Sequence, residues 1–261
     1  MSQHIPIDLA KARILLSNDD GIDAPGLKVL ERVARSLSKD VWIVAPEREQ
    51  SGASHSLSLR QPLRIRKLGP KRFAVDGTPT DCVLLAINEI MRDRRPTLLL
   101  SGVNLGGNMG EDMTYSGTVA VAMEGTLLEV PSIAFSLATV NGQKPVWDAA
   151  AVHLPGVIRS LAAATWPANT LMNVNIPNLP ADQIRGVKAA AQGQRKLGGN
   201  IVGATDPRGR PYYWIGPNRD EDAEKPGTDI WAVAQGYVAV TPAFLDLTHQ
   251  AALAELGELF P

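Results

Sequence analysis

The feature that most constrains this chain is an alternation. Four short apolar runs, Ile14–Leu16, Val41–Ala45, Thr97–Leu100 and Ser132–Phe135, are spaced by segments of helical period. Gly26–Leu37 places Leu27, Leu30, Val33, Ala34 and Leu37 on one helix face. Asp81–Met91, with Thr78 or Thr80 as its cap, and the small-residue stretch Thr118–Leu128 give two more helices. Leu63–Arg66 and Phe73–Val75 alternate apolar with polar and predict a half-exposed hairpin. Strands alternating with helices demand a parallel sheet with helices on both faces.

The second half of the sequence reads differently. Trp147–Ala164 predicts a helix, Leu171–Asn175 and Val187–Ala191 strands, Asp229–Gln235 a helix and Tyr237–Thr241 a closing strand. Between them, Gln192–Asp222 is rich in Gly, Pro, Asn and charge, with Tyr212-Tyr213-Trp214 inside it, and predicts an irregular arm that packs on another surface. The fold class expected is α/β: a doubly wound, Rossmann-like, mostly parallel sheet with a C-terminal α/β extension and an oligomerisation arm. A boundary near residues 137–146, marked by Asn141-Gly142-Gln143-Lys144-Pro145, divides a catalytic core, 1–140, from a C-terminal region, 141–261, that completes the sheet and carries the arm at about 192–222.

Composition excludes several classes of function. Lys plus Arg number 26 and Asp plus Glu 27, a net charge of -1, which gives no support for nucleic-acid or membrane-surface binding. The lone cysteine, Cys82, lies in an apolar run, so it reads as a small buried hydrophobe in a chain without internal disulfides. No run reaches the roughly 18 apolar residues of a membrane span, and Met1–Ala12 lacks the apolar core of a secretion signal. A cytoplasmic location is the expectation.

Chemistry enters where the first apolar run ends, at Ser17-Asn18-Asp19-Asp20-Gly21. Adjacent carboxylates repel unless a cation or basic group compensates them. At the carboxyl end of a parallel strand they lie where α/β proteins bind ligands, and their hard oxygens suit Mg²⁺, Mn²⁺ or Ca²⁺. The same residues also make a good turn. Two further loops follow strands on the same edge: Pro46–Ser54, and Ser101–Gly110, which leads through Glu111-Asp112 to Tyr115-Ser116-Gly117-Thr118. Their glycines let backbone N–H groups approach an anion, and a helix start adds its dipole. Ser116 and Thr118 can bond a phosphate or cap the helix; Asn104 and Ser51 can complete a cation's shell or serve the turns in which they stand.

The run Leu15–Gly26 resembles the opening of the SurE family, the stationary-phase survival proteins. The likeness continues through Ala45-Pro46, Ser51-Gly52-Ala53-Ser54, Gly77-Thr78-Pro79-Thr80-Asp81-Cys82, Ser101–Asn104, Tyr115–Thr118 and Met123-Glu124-Gly125. It ends with Thr228-Asp229 and Gln235–Val238 to Thr241-Pro242. The resemblance implies a divalent-metal-dependent 5′-nucleotidase, which hydrolyses nucleoside 5′-monophosphates, with 3′-nucleotides and short polyphosphate as further substrates to consider. It implies one Mg²⁺ or Mn²⁺, with Ca²⁺ an alternative, on Asp19, Asp20, Ser51 and Asn104. Phosphate contacts fall on Asn108 and Ser116, with Asn18 and Gly52 nearby, so Asp19, Asp20, Asn108 and Ser116 are the catalytic set. It also implies a homodimer or homotetramer that exchanges C-terminal arms. One departure stands out. Some members carry Asp and His four apart near the C-terminus, whereas Asp246 here has His249 three positions on, and His249 is left out of the site. The alternative from another class is a non-catalytic nucleotide-binding module, which would bind without cation-dependent turnover.

Overall fold

The computed structural model describes residues 3–4, 6–139, 142–197, 201–215 and 219–260. Part of the expected boundary, Asn141, and parts of the expected arm, 198–200 and 216–218, lie outside them.

Nine strands make one sheet. They are β1 (Arg13–Ser17), β2 (Asp40–Pro46), β3 (Ile65–Gly69), β4 (Arg72–Val75), β5 (Leu98–Leu105), β6 (Ser132–Ala138), β7 (Thr170–Pro177), β8 (Val187–Ala189) and β9 (Val238–Phe244). Their spatial order is β8-β9-β7-β6-β5-β1-β2-β4-β3. The run β4-β2-β1-β5-β6-β7 is parallel throughout, and β3 and β9 pair antiparallel with β4 and β7. From β1 the chain proceeds to β2 on one side and returns to β5 on the other. The order therefore reverses between β1 and β5, and the crevice at their carboxyl ends is the switch point where such sheets bind ligands.

Helices α1 (Pro25–Leu37) and α4 (Trp147–Ala163) cover one face, and α2 (Pro79–Leu85) and α3 (Gly117–Leu127) the other. Strand alternation sorts the core between them. Ile14 and Leu16 of β1 join the α1/α4 cluster, while Leu15 joins the α2 cluster, all fully buried. Cys82 is buried in that second cluster, as its apolar run predicts. Thr78 caps α2 in a capping box with Asp81, and the expected helix to Met91 continues as a π-helical turn over Ala86–Ile90.

Three elements differ from expectation. The segment expected to be irregular contains a regular ribbon: Ile201–Thr205 pairs antiparallel with Pro211–Ile215, and Arg195–Leu197 with Arg219–Glu221. Asp206 explains the turn, because its Oδ1 accepts the N–H groups of Arg208 and Arg210 while Gly209 takes φ +76°. Strand β9 is not the sheet's last: β8 lies outside it, parallel. A helix α6 (Gln250–Leu259) follows; His249 caps it by accepting the Ala252 N–H. Between β7 and β9, helix α5 (Asp229–Ala234) follows the ribbon. Among the described residues no helix is long and apolar enough to cross a membrane.

Candidate active site

Asp19 and Asp20 leave the end of β1 at the switch point. Asp19 is 4 % exposed. Thr118, on the first turn of α3, donates its hydroxyl to Asp19 Oδ1. Helix α3 can come this close because residue 117 is glycine: a Cβ there would stand 2.6 Å from Asp19 Cβ. The Leu105 N–H, at the end of β5, reaches the Asp20 carboxylate, which ties the two strand ends together. Burial raises the pKa of both acids. Asp20 rises to about 7, with the Asp19 charge as a second cause. No cation stands among the groups that shift either one.

Asn104 sits one strand over, on β5. The β5–β6 register shifts between Ser101 and Asn104, a bulge that re-aims the chain at this point. Gly102 makes the bulge possible: its φ is +114°, and a Cβ would meet the Phe135 carbonyl oxygen at 2.3 Å. Asn104 Nδ2 donates to the Gly106 carbonyl at 2.8 Å. That bond turns the amide nitrogen to the loop, so the oxygen is the end of the amide left for other partners.

The loop after β2 docks on the acid pair through its backbone, with the Gln50 N–H donating to the Asp19 carbonyl at 2.8 Å. Ser51, an expected metal ligand, is exposed and donates its hydroxyl to Glu49 Oε1 at 2.9 Å. Glu49 is the group that sequence reasoning missed. Its charge adds to the rise of both Asp19 and Asp20, and the only signal for it was a carboxylate two residues before Ser51. Gly52 is exposed at φ +77° with open space around it, so its backbone is accessible to a ligand.

Asn108 is the most firmly held of the expected residues. Its N–H donates to Asn175 Oδ1 at 2.8 Å, and its carbonyl accepts from Asn173 and Asn175 at 2.7 and 3.0 Å. Its own Nδ2 donates to Ser136 Oγ at 2.8 Å. Asn173, Asn175 and Ser136 are fully buried on β7 and β6, a frame that nothing in the local pattern revealed. Ser116 is the N-cap of α3, its oxygen accepting the Val119 N–H at 3.1 Å. Capping uses only the oxygen, so the hydroxyl proton remains available to an anion. Asn18 is buried and donates Nδ2 to the Gly21 carbonyl at 2.9 Å, holding the turn. Asp246 and His249 serve local caps, at Thr248 and Ala252.

Two carboxylates, an oxygen donor beside them and a helix N-terminus facing them thus meet at the switch point of a doubly wound α/β protein, where such folds bind ligands. The comparisons then name the family. The model of the family described as survival protein SurE matches residues 14–199. A protein of Paramagnetospirillum magneticum named 5′-nucleotidase SurE is 53% identical, over 97% of this chain and 97% of its own length. A Rhodospirillum rubrum protein of the same name is 52% identical, over 97% and 98%. The crystal structure of the SurE protein from Aquifex aeolicus superposes with a TM-score of 0.82 at 40% identity, covering 95% of this chain and 99% of that one. The chain belongs to the SurE family.

Proposed function

We propose that this protein is a divalent-metal-dependent phosphomonoesterase whose substrates are nucleoside 5′-monophosphates. The observation that carries the reading is the acid pair. Asp19, buried, and Asp20, part-buried, stand side by side with their pKa values raised and, among the described residues, no cation among the groups that shift them, beside the α3 N-terminus. A bare anion site gains nothing from two such carboxylates, whereas a phosphate bound through a cation needs them. The donor set fits a hard ion: carboxylate oxygens from Asp19 and Asp20, the Asn104 amide oxygen and the Ser51 hydroxyl, with no sulfur and no imidazole. Ser51 reaches that role by exchanging its bond to Glu49. The names carried by relatives above 50% identity agree with this reaction class.

When bound, the ion neutralises phosphoryl charge and makes water more acidic. The chain supplies the rest. Asp19 and Asp20 hold the cation side of the site, and one of the two accepts the proton that the attacking water gives up. Asn108 Nδ2, already oriented by Ser136, has a second hydrogen for a phosphate oxygen. The Ser116 hydroxyl and the open Gly52 backbone complete the cradle for the equatorial oxygens. Water attacks phosphorus in line with the leaving nucleoside oxygen.

The test is phosphate release from a panel of nucleoside monophosphates with Mn²⁺ or Mg²⁺, and again with EDTA. Release that needs the cation and stops with EDTA is expected. Folded protein that releases nothing with any cation returns the chain to the class of non-catalytic nucleotide binders. We further propose a homodimer or homotetramer joined through the 192–222 arm, whose Tyr213, Trp214 and Ile215 are exposed.

A further inference from the structure

We infer that the substrate's nucleobase is seated in the cavity at the carboxyl ends of β6 and β7, between them and α5; this rests on the phosphomonoesterase reading above. The cavity measures about 300 Å³, at the small end of ligand pockets and suited to a base with part of its sugar.

Three observations converge on it. The first is direction. The acid pair stands over β1, while Asn108 is pinned over β6 and β7 by Ser136 and Asn175. A phosphate held between them receives its water on the carboxylate side. In-line displacement breaks the bond opposite the attacking oxygen, so the nucleoside departs on the Asn108 side. The next residue, Met109, is a wall of the cavity. Gly107 brings that loop against the cavity rim, since a Cβ there would meet Met109 and Ala138 at 3.0 and 3.2 Å.

The second is chemistry. Met109, Ala138, Ile230 and Val233 give apolar walls for the faces of a base, and Thr139 and Gln143 are the polar side chains on the cavity's rim for its edges. Asn178 positions that rim, its Oδ1 accepting the Val146 N–H at 2.8 Å and its Nδ2 donating to the Lys144 carbonyl at 3.1 Å and to Gln143 Oε1 at 3.3 Å. Arg195 also lines the cavity, its buried Nε held by Asp112 at 3.2 Å.

The third is the comparison with another cavity on this edge, about 370 Å³ at the ends of β2 and β4. Glu47, Arg48, Gln50 and Asp76 wall it, so it offers charge rather than apolar surface. It also lies beside the loop that docks on Asp19, on the attacking side of the phosphate.

The experiment compares nucleoside monophosphates with ribose 5-phosphate, which keeps phosphate and sugar but lacks the base. It uses wild type, Val233→Trp, which fills the cavity, and Gln143→Leu at an exposed position where folding is not at stake. Val233→Trp is expected to raise KM for nucleotides by about tenfold or more while ribose 5-phosphate is turned over within about twofold of wild type. Gln143→Leu is expected to shift the ranking of purine against pyrimidine nucleotides by about threefold. Binding of free nucleoside, read by saturation-transfer NMR, is expected to be lost in Val233→Trp. Nucleotide KM and nucleoside binding unchanged in Val233→Trp, with base ranking unchanged in Gln143→Leu, overturn the assignment. If wild type turns over neither substrate, the reaction is wrong, and the NMR comparison decides the cavity by itself.

Discussion

Asp20 carries the first prediction. Its carboxyl is raised from 3.8 to about 7 in the metal-free fold, by burial first and the Asp19 charge second. Across the interval between those values the folded protein binds more protons than the unfolded chain, so this group lowers stability as pH rises, and fully so above about 7. Asp20→Asn removes the cost. Metal-free Asp20→Asn is therefore expected to melt above wild type at about pH 8, with the gap closing toward about pH 5, while Mn²⁺ affinity and turnover are lost. Thermal unfolding at the two pH values and Mn²⁺ titration calorimetry check it; a wild type that melts higher at the upper pH contradicts it. Asn175 carries the second. Asn175→Ala leaves the buried Asn108 N–H without an acceptor, a loss of about 1–3 kcal/mol, and frees the loop that aims Asn108. Its expected signature is weaker inhibition by inorganic phosphate with Mn²⁺ affinity unchanged. Equal phosphate inhibition in the two proteins would show that the frame does not position Asn108.

At the scale of elements, α3 and the glycine loop determine whether the site is assembled. Gly117→Ala drives a Cβ into Asp19, and helix and acid must separate, at about 1–3 kcal/mol of overpacking. The expected result is a lower melting temperature together with a lower Mn²⁺ affinity, although residue 117 is no ligand. A fall in stability with affinity intact would mean that the helix shifts and the acid stays. Asp229 performs the second assembly. Fully buried at the start of α5, it accepts N–H groups from Gly110 at 3.0 Å and from Gly193 and Ile230 at 2.8 Å each. It therefore fastens the Asn108 loop to the root of the arm. Asp229→Ala orphans three buried donors, at roughly 1–3 kcal/mol each before relaxation. Urea unfolding is expected to show a large loss, and a change under about 1 kcal/mol would mean that water replaces the carboxylate without cost.

For the whole molecule, the surface outside the sheet makes the prediction. Trp214 and Ile215 in the ribbon, and Leu247, Leu259 and Phe260 toward the C-terminus, are each at least 68% exposed. Apolar surface of that kind is stable in water when another chain covers it. Sedimentation is expected to find a dimer or tetramer, and Tyr213→Ser with Trp214→Ser to shift it toward monomer. An unchanged mass would place the interface away from the ribbon.

What the sequence determined by itself was local. The apolar runs of β1, β2, β5 and β6 and the period of α1 need only their own residues, because burial on both faces and on one stripe leave different patterns. Asp19 and Asp20 stand out because adjacent carboxylates repel unless something compensates them, although the same residues also suit a turn. The loops offered Asn104 and Ser116 among other readings, and the resemblance added Asn108, which no local pattern singles out. Three features depended on tertiary structure. The frame of Ser136, Asn173 and Asn175 lies 28 to 67 residues from Asn108 and shows no period. The influence of Glu49 depends on a loop docking beside Asp19. The ribbon at 201–215 reads as a loop because its strands find their partners in each other and expose both faces, so no alternation of burial marks them. Sequence records what each residue buries; which distant groups it meets is set by strand order and loop docking, and these exist only in the folded chain.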